Sequence, residues 1–294
     1  MTSTTLLDEF IRHLRVERGL SENTCLSYGY QLGAYVAFLR ARGQETATVT
    51  RDDVMAYLER RKGDGLKSAS IFIVAMAVRQ FHRYLAQTGG ASADPTVGMR
   101  LPRFKQRIPK PVDAEAMERL LRPPVGARFS AVRDHAMIET MYATGMRVSE
   151  LTGLRLGQVD LKNCSIRVNG KGSRQRIVIF GPRAARALGT YLAARANRFP
   201  AADDALFLNA RGRGPITRGG FGRKLSIAAR RAGISGITPH QIRHGFATSL
   251  LEGGASLRVI QQALGHSSLS TTERYCHVST ALMQKTLQAV HPRF

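Results

Sequence analysis

Acidic residues are scarce in this 294-residue chain, with 21 Asp and Glu against 44 Lys and Arg and a formal net charge of +23. A pI near 11.1 is the electrostatic footprint expected of a protein that grips a phosphate backbone. Cysteine is scarcer still. Cys25, Cys164 and Cys276 are scattered, odd in number and without a Cys-x-x-Cys pair, which argues against a disulfide framework or a structural zinc site and fits a reducing compartment. Also missing is any run approaching the roughly 20 apolar residues that span a bilayer, and no charged start leads into an apolar stretch of signal-peptide type. No membrane partner is expected, and a cytoplasmic location is. There is no Walker pattern, so nothing points to nucleotide hydrolysis.

The positive charge is localised. Between Leu161 and Leu251 stand 17 Lys and Arg, and the only acids there are Asp203 and Asp204. From Gly65 to Ala93 there is no acid at all, and Arg100, Arg103, Lys105, Arg107 and Lys110 crowd the proline-containing segment that follows.

That segment divides the chain. Residues 89–111 hold Gly89, Gly90, Pro95, Pro102, Pro109 and Pro111 with little helical periodicity, which predicts a basic linker. Residues 1–88 contain four stretches with apolar side chains at helical spacing, Thr4 to Arg18, Glu22 to Arg42, Arg51 to Lys62 and Lys67 to Gln87. Gly19, Gly43, Gly63 and Gly89 fall just past their ends, where left-handed caps are wanted. Residues 112–294 predict a second, mostly helical domain with a small antiparallel sheet, because Cys164 to Val168 and Gln175 to Phe180 are strand-like and Asn169-Gly170 signals a hairpin between them. The fold class is therefore mainly α, a four-helix N-terminal domain followed by a mixed α/β domain.

Several local patterns bear on chemistry. Thr238 is a good N-cap and Pro239 suits the first helical position, so His240 and Arg243 are predicted one turn apart at a helix start. That end of a helix is already partly positive, and two such side chains there are unfavourable unless an anion joins them. The stretch Leu257 to Leu264 is apolar at helical spacing and ends at Gly265, which sets His266 just past a helix C-terminus. Ser270-Thr271-Thr272-Glu273 resembles a capping box opening a helix with Tyr275 in its first turns. Lys171 stands between Gly170 and Gly172 at the hairpin tip, free to reach into a groove. Each residue alone has a plain structural explanation, such as a surface lysine in a glycine turn or a core tyrosine. His240 and His244 have a spacing used by helical zinc ligands, but Gln241 replaces the glutamate that a metalloprotease needs as its base, and no metal is expected.

The patterns also occur in a telling order. Gly145-Met146-Arg147-Val148-Ser149-Glu150-Leu151, Pro239-His240-Gln241-Ile242-Arg243-His244, Leu264-Gly265-His266 and Tyr275-Cys276-His277 together resemble the tyrosine site-specific recombinases of the phage integrase family, most closely the Xer type. The likeness runs from Leu6 to about Leu282 and includes Arg18-Gly19-Leu20-Ser21-Glu22-Asn23-Thr24. It implies a core-binding domain at 1–88, the linker at 89–111 and a catalytic domain at 112–294, arranged as a C-shaped DNA clamp. It implies a catalytic set of Arg147, Lys171, His240, Arg243 and His266, with Tyr275 as nucleophile. The arginines would stabilise charge on the nonbridging phosphate oxygens, His240 would take the tyrosine proton, Lys171 would protonate the leaving 5′ oxygen and His266 would buttress the phosphate. No cofactor is implied, because a 3′-phosphotyrosyl link conserves the bond energy. The implied partners are a double-stranded DNA recombination site, a homo- or hetero-tetramer on two such sites, and a DNA translocase as activator.

Ile242, Gly245 and the pair Glu273-Arg274 depart from the usual family phrasing without removing a catalytic group. Glu150, three residues past Arg147, is expected to steady that arginine or the nearby backbone. The apolar residues Leu282, Met283, Leu287 and Val290 suit a helix packed into a neighbouring subunit, with packing on their own domain as the competing reading. A DNA-binding protein with a silent site, a type IB topoisomerase-like enzyme and a minimal mobile-element integrase are the alternatives to a resolvase of chromosome or plasmid multimers.

The charge distribution makes a prediction about binding. Affinity for duplex DNA should fall roughly 10³-fold or more between about 50 and 200 mM salt if about six or more phosphates are neutralised. A nearly flat salt dependence in a filter or fluorescence titration would contradict it.

Overall fold

A computed structural model describes residues 3–101, 113–124, 128–169, 175–201, 203–264 and 287–292. The chain divides into two compact units, Met1–Ile108 and Pro109–Phe294.

The first unit is built from four helices, α1 (Ser3–Val16), α2 (Glu22–Ala41), α3 (Arg51–Gly63) and α4 (Ser68–Thr88). Their bounds follow local chemistry. Ser21 caps α2, its Oγ accepting from Thr24 N–H at 3.3 Å, and Glu22 pairs with Arg15 of α1 at 2.9 Å. The phrase from Arg18 to Thr24 thus has a structural purpose, since Gly19 takes the left-handed conformation at φ 57° between the two helices. A capping box between Thr50 and Asp53 starts α3. Gly43 and Gly89 are left-handed as expected, but Gly63 is the last residue of α3 and the positive φ falls instead on Gly65, at 83°. The helix runs past the expected stop because Gly63 keeps helical dihedrals and the chain reverses only after Asp64. Phe10, Leu32, Tyr35, Leu39, Val54, Tyr57, Val78 and Phe81 fill the core, which extends to Ala91 and Met99 beyond α4.

The second unit is organised around α6 (Phe129–Thr144). From Ala136 to Thr144 every residue is buried, so this helix has no solvent face over its last turns. Its threonines satisfy themselves, Thr140 Oγ1 donating to Ala136 O and Thr144 Oγ1 to Thr140 O, both at 2.7 Å. Around it pack α8 (Pro182–Arg198), α9 (Arg218–Arg231) and α10 (Pro239–Glu252), with short α5 (Ala114–Leu120) and α7 (Val148–Thr152) at its flanks. The sheet is antiparallel in the order β1 (Val159–Asp160), β2 (Ser165–Asn169), β3 (Gln175–Ile179). Its two longer strands match expectation; the two-residue β1 is too short to carry a pattern. Asn169 pairs with Gln175 at the turn end of the hairpin, and the connecting residues 170–174 lie outside the described residues.

A smaller core joins α10 to α11 (Leu257–Leu264) through Phe246, Leu250, Val259, Ile260 and Leu264. Leu287 is buried in it and Val290 packs against it, so residues 287–290 rest on their own domain. Gly253 permits that approach, since a Cβ there would fall 2.3 Å from Val290 Cβ. Residues 280–286 of the same segment lie outside the described residues.

One buried pair makes the first unit sensitive to acid. His82 is fully buried, with Tyr35 Oη 2.8 Å from its Nε2, and burial pushes the imidazole down to about 4, against a weaker opposing pull from Asp94. The unfolded chain binds that proton at about 6.5, so the neutral ring's contribution is fully present above about pH 6.5 and is lost as pH falls toward 4. The imidazole carbon resonances of His82 should titrate with a midpoint near 4, whereas a midpoint at the ordinary histidine value would show that the ring is reached by water.

Candidate active site

The turn that ends α6 places the first arginine. Gly145 caps the helix at φ 60°, its N–H donating to Met141 O at 2.9 Å. A Cβ at this position would fall 2.3 Å from the ring of Phe246, so both the dihedral and the contact require glycine. Met146 is buried and Arg147 follows as the N-cap of α7. Arg147 N–H donates to Glu150 Oε2 at 2.7 Å and its Nη1 to Glu150 Oε1 at 3.0 Å, while the guanidinium stays 43% exposed. Glu150 steadies both the arginine and the backbone.

Arg243 is held from two sides. It projects from the first turns of α10, where Thr238 N–H donates to Gln241 Oε1 at 2.9 Å and Gln241 N–H to Thr238 Oγ1 at 3.3 Å, a capping box behind Pro239. Its Nη1 donates to Gly145 O at 2.7 Å and its Nη2 to Leu264 O at 2.9 Å. One buried side chain therefore ties the end of α6 to the end of α11. Burial pushes its guanidinium down to about 10; Arg147 pushes the same way, Glu150 opposes and Arg176 adds a smaller repulsion. It remains a cation at neutral pH, in close company with two others.

Arg176 is a site residue that its sequence context did not single out. It lies on β3 opposite Val168, on the side of the strand that buries Val178, while Ile177 between them points outward. Its Nη1 and Nη2 donate to the two oxygens of Glu150, each at 2.8 Å. Burial pushes the Glu150 carboxyl up, but the bonds from Arg176 and from Arg147 N–H outweigh it and leave the group below the usual carboxylate range. The signal available in the sequence was a charged residue at an inward strand position, which demands a buried partner of opposite sign.

His240 is exposed in the first turn of α10, and His244 is half-buried one turn further on. Ile242 is fully buried in the main core. Gly245 has ordinary contact distances, 3.7 Å to Tyr142 and 4.0 Å to Met117 from a built Cβ, so this departure from the family phrasing opens no strained gap. Lys171, His266 and Tyr275 lie outside the described residues, as does the capping-box stretch from Ser270 to Glu273. Their described flanks are Asn169 and Gln175 on either side of Lys171, and Leu264, whose carbonyl is fixed by Arg243, two residues before His266. No cluster of three metal-ligating side chains occurs among the described residues.

The assembly of Arg147, Arg176 and Arg243 around Glu150 carries three positive charges and one negative. The N-terminus of α10 adds its partial positive charge. A phosphodiester carries one negative charge and gains a second as a nucleophile attacks. The fixed excess therefore suits the transition state better than the bound substrate, which is the condition for catalysis by preorganised electrostatics.

Residues 111–281 match the phage integrase family, and residues 7–89 match the N-terminal SAM-like domain of phage integrases. The chain is 39% identical over 292 residues to the tyrosine recombinase XerD of Halalkalibacterium halodurans, covering 98% of this chain and 97% of the relative. It is 38% identical over 289 residues to the tyrosine recombinase XerC of Pelobacter propionicus, covering 97% and 94%. Its fold is shared with XerH site-specific recombinase in a pre-cleavage complex with a difH substrate, at a TM-score of 0.68 and 21% identity over 91% of this chain and 80% of that one. With both domains matched and full-length relatives of this kind, the chain belongs to the phage integrase family and is a tyrosine recombinase of the Xer type, an enzyme that breaks and rejoins DNA.

Proposed function

We propose that Arg147, Lys171, His240, Arg243, His266 and Tyr275 form one active site in which Tyr275 attacks a DNA phosphodiester. The observation that carries this reading is the convergence of Arg147 and Arg243 on the Gly145 turn, close enough for the charge of one to lower the proton affinity of the other. Two arginines held in mutual repulsion, one of them buried, are stabilised when an anion enters between them. Arg147 and Arg243 donate to the nonbridging oxygens, which arginine does better than lysine because its charge is permanent and its donors lie in a plane. His240, exposed at the positive end of α10, takes the tyrosine proton, and His266 bonds the phosphate. Lys171 protonates the departing 5′ oxygen. The products are a 3′-phosphotyrosyl link and a free 5′ hydroxyl, and a 5′ hydroxyl from a second duplex reverses the step onto a new partner.

The substrate in this reading is a specific duplex site, held as a pair of sites by a homo- or hetero-tetramer in the cytoplasm. Likeness to proteins named XerD and XerC supports both self-pairing and pairing with a paralogue. It also supports resolution of chromosome or plasmid multimers, with a DNA translocase as activator. Among the described residues no helix is long and apolar enough to cross a membrane, consistent with that location. Mapping the DNA occupied in cells tests the biological role: one chromosomal site near the replication terminus supports multimer resolution, and occupancy at the ends of a mobile element supports integration instead.

The nucleophile is tested directly. Tyr275→Phe should bind DNA almost as the unaltered protein does, yet form no covalent adduct on a nicked suicide substrate, and an adduct mapped to another tyrosine would remove Tyr275 from the mechanism.

Lys171 and the arginines should separate by the step they serve. Arg147→Ala or Arg243→Ala should slow cleavage on the order of 10²-fold or more, as loss of an oxyanion donor does, and a better leaving group should not repair it. A 5′-bridging sulfur leaves without the proton, so Lys171→Ala should cleave such a phosphorothiolate nearly as fast as the unaltered protein while cleaving ordinary DNA slowly. Equal impairment on both substrates would assign the general acid elsewhere, with His240 first in line.

A further inference from the structure

Arg176 has a role that the six-residue set does not contain. Both of its terminal nitrogens donate to Glu150, so its fork faces that carboxylate. Glu150 is bonded to Arg147, and each of its oxygens accepts twice: Oε1 from Arg147 Nη1 and Arg176 Nη1, Oε2 from Arg147 N–H and Arg176 Nη2. That is all a carboxylate can accept. A carboxylate so close to a catalytic arginine is a hazard. Left with Arg147 alone, it would draw that guanidinium into a two-pronged pair and cancel the charge the phosphate needs.

We propose that Arg176 is a positioning residue for the cleavage step: by occupying both oxygens of Glu150 from the β3 side, it lets Glu150 orient Arg147 through one nitrogen without neutralising it. Three features support this reading over plain core stability. Arg176 spans from the sheet to the turn at Arg147, so it acts on the arginine rather than on its own element. Its fork matches the carboxylate edge-on, a geometry that a lysine ammonium cannot reproduce. And its charge brings the local sum to three cations and one anion; without it, Arg147 and Arg243 would face Glu150 with a single net charge. The inference rests on the reading of this site as a phosphate clamp and deepens it by adding the group that keeps Arg147 available.

The test uses full-length protein and a duplex recovered from random-sequence DNA by binding to the unaltered protein, nicked beside the phosphate to which Tyr275 becomes linked. Arg176→Met and Arg176→Lys are compared with the unaltered protein for DNA affinity, for the single-turnover rate of adduct formation, and for the same rate on DNA whose scissile phosphate is a methylphosphonate. That group has one nonbridging oxygen replaced by methyl and carries no charge, so it needs less from Arg147. Both variants should bind the duplex within about two-fold of the unaltered protein and cleave ordinary DNA about 10- to 10²-fold more slowly, the usual cost of removing a partner that orients a catalytic group. On methylphosphonate DNA the loss should shrink to a few-fold. Arg176→Lys keeps a cation in the partly buried position and guards against loss of folding in Arg176→Met. Cleavage by Arg176→Lys at the unaltered rate would overturn the proposal, and so would an equal loss on both substrates, which would make Arg176 a structural residue only. Arg147→Ala serves as the reference: if it cleaves ordinary DNA normally, the phosphate-clamp reading fails and this inference with it, whereas a slow Arg147→Ala rescued by methylphosphonate beside unrescued Arg176 variants sinks this inference alone.

Discussion

The active-site half of this molecule depends on one buried guanidinium. Arg243 donates to Gly145 O and to Leu264 O, carbonyls at the C-terminal ends of two helices, and so satisfies acceptors that a helix end leaves without an intrahelical donor. A buried arginine normally needs a carboxylate, and this one has carbonyl dipoles instead. The difference matters for function. A carboxylate would have neutralised Arg243, whereas carbonyls at helix C-termini, themselves partly negative, hold the cation while leaving its full charge and its remaining N–H groups for a ligand. The lowered proton affinity of Arg243 reflects that arrangement, since burial and two neighbouring cations oppose the charge more than Glu150 favours it.

The scarcity of acids gives that charge its reach. In the stretch from Leu161 to Leu251 the two acids are already occupied: Asp203 and Asp204 both accept from Arg155, and Asp203 Oδ1 also takes the N–H of Ala205. Nothing acidic in that stretch is left over to balance Arg218, Arg223, Lys224, Arg230 and Arg231 on α9. Surface pairs of that kind would have contributed about 1 kcal/mol or less each, so little stability is forgone. What is gained is a field that attracts a polyanion and is lowered in energy when one binds.

Much of this was legible beforehand, and the parts that were not have two causes. The four helices of the first unit, the hairpin strands and the start of α10 at Pro239 follow from local periodicity and capping, which act within a few residues. Thr238 is an instance: read as an N-cap ahead of Pro239, it caps α10 by accepting from Gln241 N–H. The expected left-handed stop at Gly63 failed because two glycines lie within one turn of each other and periodicity does not choose between them, while the structure puts the reversal at Gly65. Arg133, fully buried and donating to Leu208 O at 2.8 Å, and Arg176, paired with Glu150 across 26 positions, were not singled out for a different reason. Arg133 has one partner beside it, Asp134, and another 75 positions away, whereas the partner of Arg176 lies across the fold and the inward strand position of Arg176 was its one mark among so many arginines. Glu150 was read in the right role because its partner, Arg147, is three residues away.

The same distinction bears on how the site divides its labour. Arg147 and Arg243 are fixed by bonds to Glu150, Gly145 and Leu264, all within one domain and all present without DNA. A clamp assembled in advance needs no reorganisation as charge develops on the phosphate, which is where preorganised donors gain most of their effect. Lys171 and Tyr275, in the proposed mechanism, must instead give up or accept a proton, and a group placed permanently beside three guanidiniums would titrate under their influence whether or not a phosphate were bound. In the sequence those two residues stand on segments separate from the residues that hold the clamp, Lys171 between β2 and β3 and Tyr275 after α11. In the proposed mechanism the phosphate, by supplying the negative charge that the arginines lack, is the component that makes a neutral tyrosine hydroxyl and a protonated lysine compatible with one site.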